Sequence, residues 1–324
     1  MRLQWLCLLA LAGTQAIFAA TWEDSIEAAV ASVRDGQYEQ ARADLTIALD
    51  RASGDDSRTA IALNLLGSVY VELGRFRDAE VCDRRAILIW QRQPDGGGLK
   101  LCRAMENLAQ LHARVGRYSM AESLYRRSLR LREQLLGPDS PNVAAVLGNL
   151  GEVYRLQGRD DEAEQIFRQS LAQSEKALGP DHPDVAACLN NLATLYGDRG
   201  QLPEAGDAFL RAIAIWKKAY GQQHPLYAQG LTNLATIYTE SEQYHEAEDL
   251  YEEALGVTER TLGRDHRKVG WILSNYAVLL RKLERKGEAA KLEERARKIL
   301  RHHTSENFLD HTVDVRDLQK RRGS

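Results

Sequence analysis

The sequence predicts an all-α protein, a solenoid of about seven antiparallel helix pairs. Two residue series recur at intervals of 42. They are Tyr70, His112, Tyr154, Tyr196, Tyr238 and Leu280, and Ala79, Ala121, Ala163, Ala205, Ala247 and Ala289. Apolar residues within each interval follow helical spacing, and proline is scarce, with 7 in 324 residues, which favours helices. Because one helix pair cannot bury its apolar face, successive pairs must stack and share a core.

The repeat divides the chain into units. Residues 57–301 form six units of 42 residues, each with a first helix, a turn and a second helix. Residues 22–54 are predicted to form an irregular N-terminal helix pair, because DGQYEQAR at 35–42 matches LGRFRDAE at 73–80 with an offset of 38. The predicted solenoid therefore covers residues 21–301.

The joints between units carry helix-ending and helix-starting residues. Gly137, Gly179, Gly221 and Gly263 are expected to turn the chain out of each second helix. A Ser-Pro or His-Pro pair then opens the next helix, since proline fits the first helical turn. His182, His224 and His266 are therefore interpreted as caps. Packed helices lie about 8–10 Å apart, too far for equivalent histidines to share a metal ion, so no metal site is predicted.

Two positions depart from the repeat. The joint at residues 94–100 reads PDGGGLK, which fits either a looser hinge or an extended helix end with a loop. Asp83 stands where other units have Tyr125, Phe167, Phe209 or Tyr251. We expect its carboxylate to reach solvent or to pair with an arginine, since a buried unpaired charge is costly.

The ends of the chain differ from the repeats. Residues 1–20 have the layout of a secretory signal peptide, which predicts an exported, periplasmic or extracellular, bacterial protein. Membrane attachment would require that this segment stay uncleaved. The helical period stops in the tail, residues 302–324, where residues 307–318 are either a mobile terminus or a strand lying along the last units or in a groove. The three remaining cysteines, Cys82, Cys102 and Cys188, are expected to be buried and unpaired.

Composition and motifs exclude several function classes. With 43 basic and 46 acidic residues the net charge is −3, and no basic stripe indicates nucleic acid. Phosphate loops, metal-binding helices and nucleophile elbows are missing from the sequence. Repetition also argues against an active site, which needs one set of unlike residues. We therefore predict no enzyme activity and no cofactor.

The candidate binding residues form a ladder on the first helices. Its rungs are Asn107, Asn149, Asn191, Asn233 and Asn275, with Leu65 at the first position. An amide both donates and accepts, as the backbone of an extended peptide requires. The alternative is that each asparagine stabilises the neighbouring helix or the loop. Residues one or two turns away share the face, and those chosen as candidates are Arg103, Arg114, Glu152, Thr194, Asp198, Thr236, Glu240 and Trp271. The face is expected to be basic at its first end, acidic in the middle and aromatic near Trp271.

The NLxxxY and GxxxEA segments, with joints such as LGPDHPDVA at residues 178–186, resemble the tetratricopeptide repeat of the kinesin light chain type. The resemblance covers roughly 280 residues and implies a right-handed superhelical solenoid whose first helices line a concave groove. It also implies that asparagines at the ladder positions contact the backbone of a bound peptide. Members of the family are usually binding modules. Grooves of kinesin light chains that take acidic peptides are more basic than the face expected here.

Together these features predict a non-enzymatic protein–protein interaction module that binds an extended peptide or protein segment in its concave groove. The alternative is a structural scaffold that assembles a complex, or associates with itself, through the ends and outer faces of the solenoid. The partner is expected to be a protein or a peptide rather than nucleic acid.

Overall fold

The computed structural model describes residues 21–302, with side chains to Arg301. The predicted signal peptide and the tail beyond His302 lie outside the described residues. The described part contains fourteen α-helices. They are α1 (Trp22–Arg34), α2 (Tyr38–Arg51), α3 (Asp56–Glu72), α4 (Phe76–Arg92), α5 (Gly98–Arg114), α6 (Tyr118–Leu136), α7 (Pro141–Leu156), α8 (Asp160–Leu178), α9 (Pro183–Asp198), α10 (Leu202–Tyr220), α11 (Pro225–Glu240), α12 (Tyr244–Leu262), α13 (Arg267–Lys282) and α14 (Lys286–His302).

Consecutive helices pack as seven hairpins, α1 with α2 through α13 with α14. Strands are not found in the described residues, so the predicted all-α solenoid of stacked helix pairs is confirmed. Each hairpin closes through a short turn with one residue in the left-handed region. That residue is glycine in the first five hairpins, but Glu242 (φ 64°) and Glu284 (φ 58°) occupy the position in the last two.

The described residues divide into two compact units, and the division falls after Gly97. The described part of the first unit holds α1–α4, with Leu45, Leu63 and Trp90 buried in its core. The second unit holds α5–α14. Its core contains one cluster around Tyr125 and Phe167 and another around residues that include Phe209, Leu234 and Tyr251. The boundary falls within the glycine-rich joint.

The joints have the local structure that their residues predict. Gly137, Gly179, Gly221 and Gly263 follow second helices with φ of 82°, 86°, 79° and 92°. The histidine caps are confirmed: Nδ1 of His182, His224 and His266 accepts a hydrogen bond from the amide two residues later, at 3.1, 3.2 and 3.2 Å. Burial lowers the pKa of His224. These histidines are therefore part of the fold.

Asp83 contradicts the expectation from sequence. Its side chain has no exposed surface, and neither carboxylate oxygen accepts a hydrogen bond from the described residues. Burial raises the pKa of this carboxyl to about 8. The prediction that Asp83 reaches solvent or pairs with an arginine was wrong, because the position belongs to the aromatic core series and the helices close over it.

The cysteines match the prediction: Cys82, Cys102 and Cys188 are free and buried. Burial raises the pKa of the Cys82 thiol to about 11. Over the part of the chain that the structure describes, every helix is too short or too polar to cross a membrane.

Candidate functional site

Several first helices of the second unit contact one another along the stack. Helices α7 and α9, α9 and α11, and α11 and α13 contact one another directly. We call the surface of α5, α7, α9, α11 and α13 the first-helix face.

The asparagine ladder divides into two parts on this face. Asn149 is exposed, and Asn107 and Asn191 are half-buried. Asn233 and Asn275 are buried, with 0% and 2% of their surface exposed. The rungs on α5, α7 and α9 are therefore accessible to a ligand, and those on α11 and α13 are enclosed by neighbouring helices.

Asn233 illustrates the enclosed type of rung. Its Nδ2 donates to Oδ1 of Asn190 on α9 at 2.9 Å, and Asn190 is itself buried. This hydrogen bond joins one first helix to the next. At this position the amide stabilises the fold, which is the second of the two roles considered for the asparagines.

The flanking candidates follow the same trend. Arg103, Gln110, Ala145 and Ala187 are exposed on α5, α7 and α9, and Arg114 is half-buried. Thr194 and Thr236 are buried. Their hydroxyls donate to the carbonyl oxygens four residues earlier, Thr194 to Asn190 at 2.8 Å and Thr236 to Thr232 at 3.1 Å. The accessible part of the first-helix face is thus basic and polar at α5, and polar with small side chains along α7 and α9.

Two of the acidic candidates are paired through a residue outside the candidate set. Arg155 donates from Nε and Nη2 to the two oxygens of Glu152, both at 2.8 Å, and from Nη1 to Asp198 on the next first helix. Their side chains are 15%, 10% and 5% exposed, in the order Arg155, Glu152 and Asp198. Burial alone would lower the pKa of Arg155, but the two carboxylates raise it overall. The cluster therefore joins α7 to α9.

A similar ion pair joins α11 to α13. Lys282 Nζ lies 3.3 Å from Oε1 of Glu240 and donates to the Thr239 carbonyl oxygen at 3.5 Å. The guanidinium of Arg267 lies 5.3 Å from the ring centre of half-buried Trp271. The acidic middle expected from sequence is therefore largely neutralised by basic side chains on the same or the next first helix.

Arg155 is the residue that sequence reasoning missed. Its spacing of three from Glu152 is a recognisable signal for an ion pair on one helix. Its contact with Asp198, 43 residues away, depends on the distance between α7 and α9. Among the described residues no cluster of histidine, cysteine and carboxylate side chains could hold a metal ion.

Comparison with known families decides the classification. The model of the tetratricopeptide repeat family matches residues 24–92, 59–134, 100–176, 142–218, 192–259 and 226–302. The chain belongs to the tetratricopeptide repeat family. The overlapping matches cover both units, so the resemblance seen in the repeated segments extends through nearly all described residues.

Several solved structures are similar in fold to this chain. BtubC (BKLC) from P. vanneervenii is 21% identical, with a TM-score of 0.56 over 78% of this chain and 94% of that one. A Podospora anserina putative kinesin light chain with nearly identical TPR-like repeats is 26% identical, with a TM-score of 0.51 over 61% and 94%. The Rap conjugation gene regulator of plasmid pLS20, solved in complex with the Phr* peptide, is 17% identical, with a TM-score of 0.63 over 89% and 77%.

A search of curated proteins found no match to this chain. Membership of the tetratricopeptide repeat family supports a protein–protein interaction module.

Proposed function

We propose that the first-helix face of α5, α7 and α9 binds an extended peptide or protein segment without enzymatic chemistry. The observation that carries the proposal is the accessibility of Asn107, Asn149 and Asn191, which stand at intervals of 42 on three successive first helices. Asn233 and Asn275 continue the series but are buried, so the proposed site ends near α9.

The spacing of the rungs fits an extended backbone. Neighbouring packed helices lie about 8–10 Å apart, and an extended chain advances about 3.3 Å per residue. Successive asparagines would therefore contact ligand residues about three positions apart. Because an amide side chain offers a donor and an acceptor, it can pair with a peptide group whatever side chain the ligand carries.

The charge and size of the exposed side chains indicate the chemical class of the ligand. Exposed Arg103 lies at the α5 end, where it favours an acidic group at one end of the ligand. Ala145 and Ala187 are exposed one turn before Asn149 and Asn191 on the same helices, and their small side chains leave room for ligand side chains. The Glu152–Arg155–Asp198 cluster keeps α7 and α9 at a fixed separation. The proposed ligand is thus an extended segment with an acidic end and few basic residues.

Two lines of similarity support this proposal. A structural neighbour with a tetratricopeptide repeat fold, the Rap regulator of plasmid pLS20, was solved with a bound peptide. Proteins of this fold are generally interaction modules rather than enzymes, and repetition of similar residues favours a binding surface over an active site.

The test begins with peptides selected from a random library against the whole protein. The affinity of the selected peptides is then measured for the wild type and for the double variant Asn149→Ala/Asn191→Ala. Since each lost hydrogen bond is worth about 1 kcal/mol, we expect affinity to fall at least about tenfold. The matched control is Gln165→Ala/Gln169→Ala, which removes two exposed amides from α8, a second helix.

The two outcomes separate the proposed functions. Weaker binding by the asparagine variant alone, with unchanged helicity, supports the groove. Unchanged affinity of the asparagine variant together with weaker binding by the α8 control would favour the scaffold, in which partners or other copies of this chain attach to outer faces.

Export remains part of this proposal. The signal-like layout of residues 1–20 supports the proposal that the module is exported to the periplasm or outside the cell. Fractionation of cells that produce the protein, with sequencing of its N-terminus, tests this: a cytoplasmic protein that begins at Met1 would contradict it.

A further inference from the structure

The last hairpin leaves open a surface that the three preceding hairpins bury. In the 42-residue register, Val278 corresponds to Glu152, Thr194 and Thr236, which are buried, and to Ser68 and Gln110, which are exposed. Val278 is only half-buried, and so is Ser274, whose counterparts Asn190 and Thr232 are buried. Beyond α14, the described residues contain no further helix.

The open surface is a cleft between α13 and α14 with a volume of about 500 Å³. Val278, Ala296 and Leu300 form its apolar part, and Arg297 and Arg301 lie on its rim. Arg281 also lines the cleft and forms an ion pair with Glu293 at 2.7 Å. Three arginines against one glutamate make the rim positive. We call this surface the terminal cleft.

The chain itself contains a segment of complementary chemistry. Residues 306–318 read ENFLDHTVDVRDL. Four carboxylates against one arginine give this segment a net charge of −3. Its apolar residues are Phe308, Leu309, Val313, Val315 and Leu318. An acidic segment rich in apolar side chains therefore matches an apolar cleft with a basic rim.

The position of this segment also favours the terminal cleft. Arg301, at the end of α14, lines the cleft, and the acidic segment begins five residues later. The segment is long enough to reach along the whole cleft. Thirteen residues in extended form can span about 43 Å, and α13, with 16 residues, is about 24 Å long. A short chain length between the two partners gives a high effective concentration for an intramolecular contact.

We propose that residues 306–318 dock in the terminal cleft of their own chain. The segment covers the half-buried Val278 and Leu300, and its carboxylates face Arg297 and Arg301. Docking closes the apolar end of the solenoid, which terminal repeats of such arrays must protect from solvent. The surface is separate from the proposed ligand site on α5, α7 and α9.

The experiment uses the whole chain with the photo-crosslinker p-benzoylphenylalanine in place of Phe308. After irradiation, crosslinked peptides are identified by mass spectrometry in an equal mixture of isotopically light and heavy protein. We expect crosslinks within one copy that map to residues 267–301. Arg297→Glu should reduce their yield about fivefold, the effect of losing one exposed ion pair, and Asp314→Arg in the same chain should restore it.

Lys217→Glu is the matched control, because Lys217 is an exposed basic residue at the end of α10, and it should leave the yield unchanged. Crosslinks that map to α5, α7 or α9, crosslinks that join light and heavy copies, or the absence of crosslinks to residues 267–301 would each overturn the proposal. A yield that does not respond to Arg297→Glu would overturn it as well.

Discussion

Asp83 packs against Gly67 in the first unit as Phe167 packs against Gly151 in the second. A Cβ atom added to Gly67 would lie 2.5 Å from Oδ1 of Asp83, and one added to Gly151 would lie 2.6 Å from the Phe167 ring. The two pairs are 84 residues apart, which is two repeats. The glycine admits the neighbouring side chain in both hairpins, but in the first unit that side chain is a carboxyl.

The Asp83 carboxyl is expected to make the stability of the first unit depend on pH. Its pKa is raised by burial from 3.8 to about 8. Below pH 4 both folded and unfolded states hold the proton. Between pH 4 and pH 8 only the unfolded state loses it, so stability falls as pH rises, by an amount on the order of a few kcal/mol. Above pH 8 the carboxyl is deprotonated in both states, and stability no longer falls as pH rises.

Asp83→Asn removes this titration while keeping the shape of the side chain. Hydrogen exchange of the α3 and α4 amides, compared between wild type and variant at the same pH, should differ more at pH 8 than at pH 5. A difference that is the same at both pH values would contradict the predicted titration.

Glycine substitutions at Gly151 and Gly206 are expected to have opposite effects. In Gly151→Ala the new methyl group collides with the Phe167 ring, so we expect the free energy of unfolding to fall by about 1–3 kcal/mol. Gly206, in α10, has open space around a Cβ position, and Gly206→Ala should stabilise the helix by about 0.5–1 kcal/mol. Thermal unfolding measures both, and a stabilised Gly151→Ala variant would refute the close packing.

Glu242→Gly is expected to stabilise the sixth hairpin. Glu242 has φ of 64°, a conformation that costs a residue with a side chain about 1–2 kcal/mol. Glycine adopts it without this cost, but the greater flexibility of glycine in the unfolded state offsets part of the gain. The net gain should be about 0.5–1 kcal/mol in chemical denaturation. Asp249→Gly, at an exposed site within α12, is the control and should destabilise the protein. Equal effects of the two substitutions would contradict the prediction.

Arg155→Met is expected to destabilise the contact between α7 and α9. It leaves Glu152 and Asp198, which are 10% and 5% exposed, without their shared cation, and such a loss costs about 3 kcal/mol. The triple variant Arg155→Met/Glu152→Gln/Asp198→Asn should recover much of this loss, since it buries no unpaired charge. The unfolding midpoint of each variant tests this, and a single variant as stable as the wild type would show that the cluster does not stabilise this contact.

Local features of the fold could be predicted from sequence because they depend on neighbouring residues. Gly179 turns the chain and His182 caps the next helix through contacts within a few residues. The interval of 42 places the same features in unit after unit, which makes the helix pairs and their stacking predictable. The candidate site was predictable only in part. Asn149 and Asn233 hold the same register position, yet one is exposed and the other buried.

The helix pairs, their turns and caps, and the face on which the asparagines lie follow from the amino-acid order alone, since backbone conformation and helical periodicity are short-range properties. The tertiary structure decided which asparagines a ligand can reach, that Arg155 neutralises Glu152 and Asp198, and that Asp83 is enclosed. These outcomes depend on how closely helices 42 residues apart approach one another. That distance is set by the packing of whole hairpins, and no single repeat encodes it.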